Sequence, residues 1–320
     1  MRIGILTSGG DCPGINATIR GVCKTAISHY GMEVYGIRSG FRGLLDNDII
    51  PLDENSLTGL LSMGGTILGT SREKPFKNRA NVPVSEDKPA MMLKTIRERK
   101  LDCVVCIGGN GTQKTAAKLA ATGVNVVTVP KTIDNDVWGT DISFGFDSAV
   151  SIATEAIDRL HSTASAHQRV MVIEVMGHKA GWIALYSGMA GGGDIILLPE
   201  IPFDIHRIGD TIINRLKKGK PYSIVVVAEG IPTLGGKKAA QYIAEEIEYE
   251  TGFETRETVL GYIQRGGGPT AFDRNLATRM GGHATELIAS GQFGRMVSLR
   301  GSEITSVPLS EVAGKLKLVK

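Results

Sequence analysis

Two short runs carry the residue types that phosphoryl transfer requires. Gly108-Gly109-Asn110-Gly111-Thr112 offers backbone N–H groups with almost no side chain in the way, the condition for a polyphosphate to approach closely. Pro130-Lys131-Thr132-Ile133-Asp134-Asn135-Asp136 offers two carboxylates and a hydroxyl. A phosphate cradle and a carboxylate pair would between them hold a donor, hold Mg2+ and deprotonate an acceptor hydroxyl. Four arginines stand beside glycines or apolar runs: Arg72 after Met63-Gly64-Gly65-Thr66, Arg169, Arg256, and Arg265 in Gln264-Arg265-Gly266-Gly267-Gly268. A guanidinium fork binds phosphate oxygens in pairs, so together they favour an anionic ligand.

Each feature also has a plain structural explanation. Gly-Gly-x-Gly turns cap ordinary strands, acidic loop residues are commonly solvated, and a single arginine is commonly a surface residue. Walker A is absent, as is a Rossmann fingerprint in the first strand-helix turn, which counts against P-loop NTPases and dinucleotide enzymes. There is no His-Glu-x-x-His and no defensible Ser/His/Asp order; His167 and His178 are uninformative. Cys103 and Cys106 have redox or zinc spacing but lie in the apolar run Cys103-Val104-Val105-Cys106-Ile107. A strand turns them to opposite faces, so they are expected as buried apolar thiols.

What positions these residues is an alternation of apolar runs with helical periodicity, the signature of parallel sheets with crossover helices. Strands are expected at 2–7, 32–37, 103–107, 124–129, 170–175, 195–198 and 223–228. Helices are expected at 16–29 with Asn16 as N-cap, 89–100, 113–122, 147–160, 180–190, 204–217 and 239–251. Ligands of open parallel sheets sit beyond the carboxyl ends of the strands. Five loops fall there: 8–14, 108–112, 130–136, Met176-Gly177-His178 and Glu229-Gly230. The 41 glycines, well above the usual ~7 %, gather at such strand ends.

The chain has 320 residues, more than one core usually supports, so two lobes are expected. Its 36 basic and 33 acidic residues are interspersed, net +3, which disfavours nucleic acid. No apolar run approaches the ~20 residues of a membrane span, and Met1-Arg2-Ile3-Gly4 enters a strand without a signal-peptide layout. A cytoplasmic protein without membrane association is expected.

These residues resemble the 6-phosphofructokinase family over nearly the whole chain. The resemblance is carried by Leu6-Thr7-Ser8-Gly9-Gly10-Asp11-Cys12-Pro13-Gly14, the two runs above, Glu155-Ala156-Ile157-Asp158-Arg159-Leu160, Glu174-Val175-Met176-Gly177 and Thr258-Val259-Leu260-Gly261-Tyr262-Ile263-Gln264-Arg265-Gly266-Gly267. It implies an α/β phosphofructokinase fold of two Rossmann-like lobes with mainly parallel sheets flanked by helices. The donor lobe would be 1–146 plus 258–305, the fructose 6-phosphate lobe 147–257, and 306–320 a C-terminal segment.

By the same resemblance, Asp134 is the base for the sugar 1-hydroxyl, Thr132 contacts the transferring group, and Arg72 meets developing charge. Asp136, Arg169, Met176, Gly177, Glu229, Arg256, Tyr262 and Arg265 join Thr132 and Asp134 around the sugar phosphate. Gly10, Arg72, Gly108, Gly109, Asn110, Gly111, Thr112 and Lys131 form the nucleotide side, and Asn110 and Asp136 the Mg2+ ligands. Active sites shared across a homotetramer are implied, with Arg169 and Arg256 coming from the neighbour.

The sequence departs from the best-known bacterial pattern. Asn110 replaces an aspartate, Lys131 a glycine, Tyr262 a histidine, and His161 and Lys24 two effector-site arginines. The expected reaction is ATP- and Mg2+-dependent phosphorylation of fructose 6-phosphate to fructose 1,6-bisphosphate in glycolysis. Alternatives are a pyrophosphate-dependent relative, a lipid or NAD kinase, which would leave the residues at 256–267 unexplained, and a catalytically weak nucleotide-binding regulatory subunit. Pyrophosphate-using relatives, and a set of ATP-using ones, also carry lysine at 131, a charge pyrophosphate could use; Gly111 weighs more and favours ATP, because pyrophosphate-dependent relatives carry aspartate there.

Overall fold

A computed structural model describes residues 1–77 and 87–320. In these the strands are β1 (Arg2–Ser8), β2 (Glu33–Ile37), β3 (Ile49–Leu52), β4 (Cys103–Gly108), β5 (Val126–Pro130), β6 (Val170–Val175), β7 (Ile195–Leu197), β8 (Ser223–Ala228), β9 (Thr255–Val259), β10 (Arg295–Arg300) and β11 (Glu303–Pro308). The helices are α1 (Ile15–Tyr30), α2 (Phe41–Asp46), α3 (Lys88–Glu98), α4 (Asn110–Ala120), α5 (Phe146–His167), α6 (Trp182–Ala190), α7 (Ile205–Lys217), α8 (Ala239–Thr251), α9 (Ala271–Ala289) and α10 (Leu309–Val312). The expected mainly parallel, helix-flanked α/β architecture is present.

The chain forms two compact units. The first holds Met1–Thr132, Val137–Gly145 and Gly266–Leu316. Its sheet runs β11-β10-β5-β4-β1-β2-β3, parallel except for β3 and β11 at the edges. All six residues of β4 are buried, as they must be in a strand covered on both faces. On one side Leu6, Val104, Cys106, Val126 and Met296 join Phe41 and Leu44 of α2, Met92 of α3 and Leu119 of α4 in one core. Helices α1 and α9 approach closely. A Cβ on Gly281 would stand 2.9 Å from the Val22 nitrogen, so only glycine fits. All four cysteines are buried. Burial pushes the Cys103 thiol up to about 12 and the Cys106 thiol further, as expected for apolar, inert thiols.

The second unit holds Ile133–Asp136, Phe146–Arg265 and Lys317–Lys320. Its sheet, β7-β8-β6-β9, is wholly parallel. Strands β6 and β8 are fully buried. Buried Glu174 accepts from Ala240 N at 2.8 Å, placing a carboxylate against the electropositive start of α8.

Several expectations shift. Helix α4 begins at Asn110 instead of 113, so the glycine run is a one-residue turn followed at once by helix, and α5 continues to His167 instead of ending at 160. Asn16 is not a cap: Gly14 holds that place at φ 103°, and the Asn16 side chain is wholly buried. Its amide donates to the Met63 and Gly64 carbonyls and accepts from Ile67 N, clamping the 63–67 loop. Residues 255–259 pair with β6, and 258–265 group with the second unit. Residues 303–308 pair with β10, so most of 306–316 groups with the first.

Candidate active site

Strand register gathers the polar loops. In the first unit Ser8 pairs with Gly108, and Gly108 with Pro130, so three adjacent parallel strands end level. The next residues are therefore neighbours: Gly9-Gly10 after β1, Gly109-Asn110-Gly111 after β4, Lys131-Thr132 after β5. Buried Lys131 donates its ammonium to the Gly10 carbonyl, and its N–H to Gly108 O at 3.1 Å. Buried Thr112 donates to Ser8 O at 3.3 Å. Gln113, also buried, donates to Gly108 O at 2.9 Å and accepts from Thr128 Oγ1 at 2.6 Å. The glycine turn is thus tied to both adjoining strands.

Two glycines there have space around them. Gly9, at φ 85°, has only Lys131 Nζ and Thr112 Oγ1 within 4 Å of a built Cβ, and Gly111 has nothing. The start of α4, with its inward N–H groups and partial positive charge, opens onto this edge. Arg72 is exposed and follows a segment bound to the first loop, since Gly9 N donates to Ser71 O at 3.0 Å and Thr70 Oγ1 to Gly9 O at 2.6 Å. All of the expected nucleotide-side residues therefore belong to one strand edge or lie beside it.

In the second unit the same logic gives a second set. Val175 pairs with Ala228 and Glu174 with Val259, so Met176, Glu229 and Leu260 follow level strand ends. Glu229 accepts from Gly177 N at 3.2 Å and His178 N at 2.8 Å, fixing the turn after β6. Gly177, at φ 149°, and His178, at φ 53°, need that support. Gln264, buried in the turn Gly261–Arg265, accepts from Met176 N at 2.8 Å. The Arg265 guanidinium lies 5.3 Å from the centroid of the Tyr262 ring, and its Nε is buried without a partner. Tyr262 itself is 72 % exposed.

Asp134 belongs to this second set. Burial pushes its carboxyl from 3.8 up to about 6, repulsion from Asp136 adds to this, and Glu229 adds less; Arg265 and then His178 oppose. Two acidic and two basic groups thus act on one carboxyl. Asp136 is buried beside it, and Asn135 between them is left-handed at φ 51°.

Two expected residues stand elsewhere. Val170 pairs with Thr255 and Met171 with Arg256, so Arg169 and Arg256 lie at the amino edge of the second sheet, the opposite end from Glu229. Both bind Glu254, Arg169 at 3.1 Å, and Arg169 Nε is buried without a partner. A six-residue strand spans about 20 Å, so within one chain these arginines do not join Asp134. Sequence reasoning assigned nothing to Gln113, Gln264 or Glu254. Gln264 was visible beside Arg265, but its bond to a turn 88 residues away had no local signal.

Each of the two mainly parallel sheets thus gathers polar loops beyond the carboxyl ends of its strands. The family model described as Phosphofructokinase matches residues 2–288. The chain is 79 % identical over 319 residues to "ATP-dependent 6-phosphofructokinase 3" of Bacteroides thetaiotaomicron, covering 100 % of this chain and 95 % of the relative. It is 46 % identical over 337 residues to "Pyrophosphate--fructose 6-phosphate 1-phosphotransferase" of Streptomyces coelicolor, covering 100 % and 96 %. Among solved structures, phosphofructokinase of Pichia pastoris in the T-state superposes with TM-score 0.88 at 31 % identity, over 98 % of this chain and 35 % of that longer one. The chain belongs to the phosphofructokinase family.

A kinase of this family needs a divalent metal. Among the described residues no group of three or more His, Cys, Asp or Glu is assembled as a metal cage. The chemistry still fits Mg2+, which keeps waters and phosphate oxygens and takes only one or two protein oxygens. Asp136 offers a carboxylate and Asn110 a neutral amide oxygen. No described helix is long and apolar enough to cross a membrane.

Proposed function

We propose that this chain transfers the terminal phosphoryl group of ATP to the 1-hydroxyl of fructose 6-phosphate, with Mg2+, as a cytoplasmic enzyme. The observation that carries this reading is Asp134: a carboxyl held near 6 by burial and Asp136. At neutral pH it is mostly ionised yet more basic than an ordinary aspartate, the condition for taking a proton from a hydroxyl in the transition state. Arg265 faces it as a counter-charge, and Tyr262 and Arg265 bind the sugar phosphate. Glu229 holds the Met176–Gly177 turn against the sugar ring.

On the donor side the glycine turns and the start of α4 receive the phosphates, while Thr132 and Arg72 meet charge on the transferring group. Asp136 and Asn110 are the oxygen donors that Mg2+ would draw on, and the ion would neutralise phosphate charge. The open space at Gly111 supports a nucleotide over pyrophosphate. Lys131 serves either donor, but its ammonium already binds the Gly10 carbonyl and so shapes the loop. The amino-edge position of Arg169 and Arg256 supports their use by a neighbouring subunit, and hence a homotetramer with shared sites.

A coupled assay with fructose 6-phosphate and ATP, GTP or pyrophosphate in turn tests the reading. Turnover with ATP is expected; no turnover with any donor would leave only a nucleotide-binding role.

A further inference from the structure

Segment 317–320 groups with the second unit, together with the carboxylate loop 133–136. Its bonds explain why. Lys317 donates its backbone N–H to the Asp136 carbonyl at 2.9 Å and its ammonium to Asn135 Oδ1 at 2.8 Å. Its own carbonyl accepts from Trp182 Nε1 at 2.9 Å, and the ammonium lies 5.7 Å from the centroid of the Trp182 ring. Two residues on, Val319 N donates to Glu200 Oε1 at 3.0 Å; the same carboxylate accepts from Gly181 N at 2.9 Å. The segment is therefore pinned at the start of α6 and reaches from there to the loop.

What it grips is a loop that needs holding. Asn135 has φ 51°, a conformation that L side chains adopt rarely and keep only when their surroundings fix it. Lys317 engages the two residues that follow Asp134, one through the side chain and one through the backbone. A ~1 Å displacement of a base from its acceptor is enough to cost a large factor in rate.

We propose that Lys317 is a positioning residue: by holding Asn135 and Asp136 it fixes the loop that aims Asp134 at the sugar hydroxyl. The inference rests on the function proposed above. It assigns no contact with substrate to Lys317 itself.

Steady-state kinetics with fructose 6-phosphate and MgATP on the full chain test it, using Lys317→Met, Lys317→Arg, Asn135→Gly and the Lys317→Met/Asn135→Gly double variant. Asn135→Gly keeps the left-handed backbone and removes the acceptor. Lys317→Met is expected to lower kcat by about fivefold or more with both KM values within about twofold. Lys317→Arg recovers most of the loss, and Asn135→Gly lowers kcat on its own, so it decides the matter if Lys317→Met does not fold. In the Asn135→Gly background, Lys317→Met adds less than about twofold, because the bond is already gone. A kcat within about twofold of the unmodified protein in both single variants, a loss expressed in KM, or fully additive losses would overturn the proposal. Inactivity of the unmodified protein would overturn the assigned reaction instead.

Discussion

Replacing Asp134 with asparagine separates chemistry from folding, because the two respond in opposite directions. The amide has nearly the same shape but accepts no proton. As a general base the carboxylate contributes on the order of 10²-fold or more, so kcat is expected to fall by at least that factor while KM for fructose 6-phosphate changes little.

Stability moves the other way. The carboxyl's folded value of about 6 lies above its ordinary 3.8. A group raised in this way supports the fold fully below pH 3.8, and that support is lost as pH rises through 6. At pH 7 the difference corresponds to about 3 kcal/mol against the folded state. Asparagine removes it, so Asp134→Asn is expected to melt higher than the unmodified protein at pH 7 and to match it near pH 4. The unmodified enzyme should lose kcat/KM about tenfold per pH unit below about 6, as the base is protonated. Thermal melts across pH beside steady-state rates decide the matter. Near-normal kcat in the variant would refute the assignment of the base, and an unchanged or lower Tm at pH 7 would refute the origin of its raised value.

Three further outcomes follow from the geometry. With the unmodified protein, kcat/KM for ATP is expected to exceed that for pyrophosphate at least tenfold, about 1.4 kcal/mol, and Gly111→Asp reduces use of ATP more than of pyrophosphate; a preference for pyrophosphate would mean Lys131 governs the donor. Mixing Asp134→Asn with Arg169→Ala protein under subunit exchange is expected to restore activity, since hybrids rebuild intact sites; no recovery despite exchange seen by mass spectrometry would place each whole site within one chain. Glu229→Ala releases two N–H bonds at the turn after β6, so KM for fructose 6-phosphate is expected to rise about tenfold or more, with the donor KM nearly unchanged; equal changes in both would disconnect Glu229 from the sugar.

Much of this protein was legible in its sequence because the information is local. Uninterrupted apolar runs such as 103–107 and 223–228 announce strands buried on both faces, and glycines and carboxylates immediately after them announce polar loops at the strands' carboxyl ends. The cysteine pair read correctly as core from strand periodicity alone. Local patterns fail where a partner is distant in the chain. Asn16 has the chemistry of an N-cap, yet its amide is taken by carbonyls nearly 50 residues away. The antiparallel edge strands β3 and β11 are only partly buried and each contain a proline, so neither forms the uninterrupted apolar run that announces a buried strand.

The sequence by itself determined which side chains stand at strand ends, and therefore that anions, a hydroxyl and a metal could meet there. Only the tertiary structure decided which of them share an edge. Pairing of Val170 with Thr255 places Arg169 and Arg256 at the opposite end of the sheet from Glu229, although arginines near strand ends look alike in one dimension. It also decided that Asp134 is the raised carboxyl: its basicity comes from burial and from repulsion by Asp136 and Glu229, which outweigh the opposing charges of Arg265 and His178. A residue's type is fixed locally, but its electrostatic environment is a sum over neighbours brought in by folding.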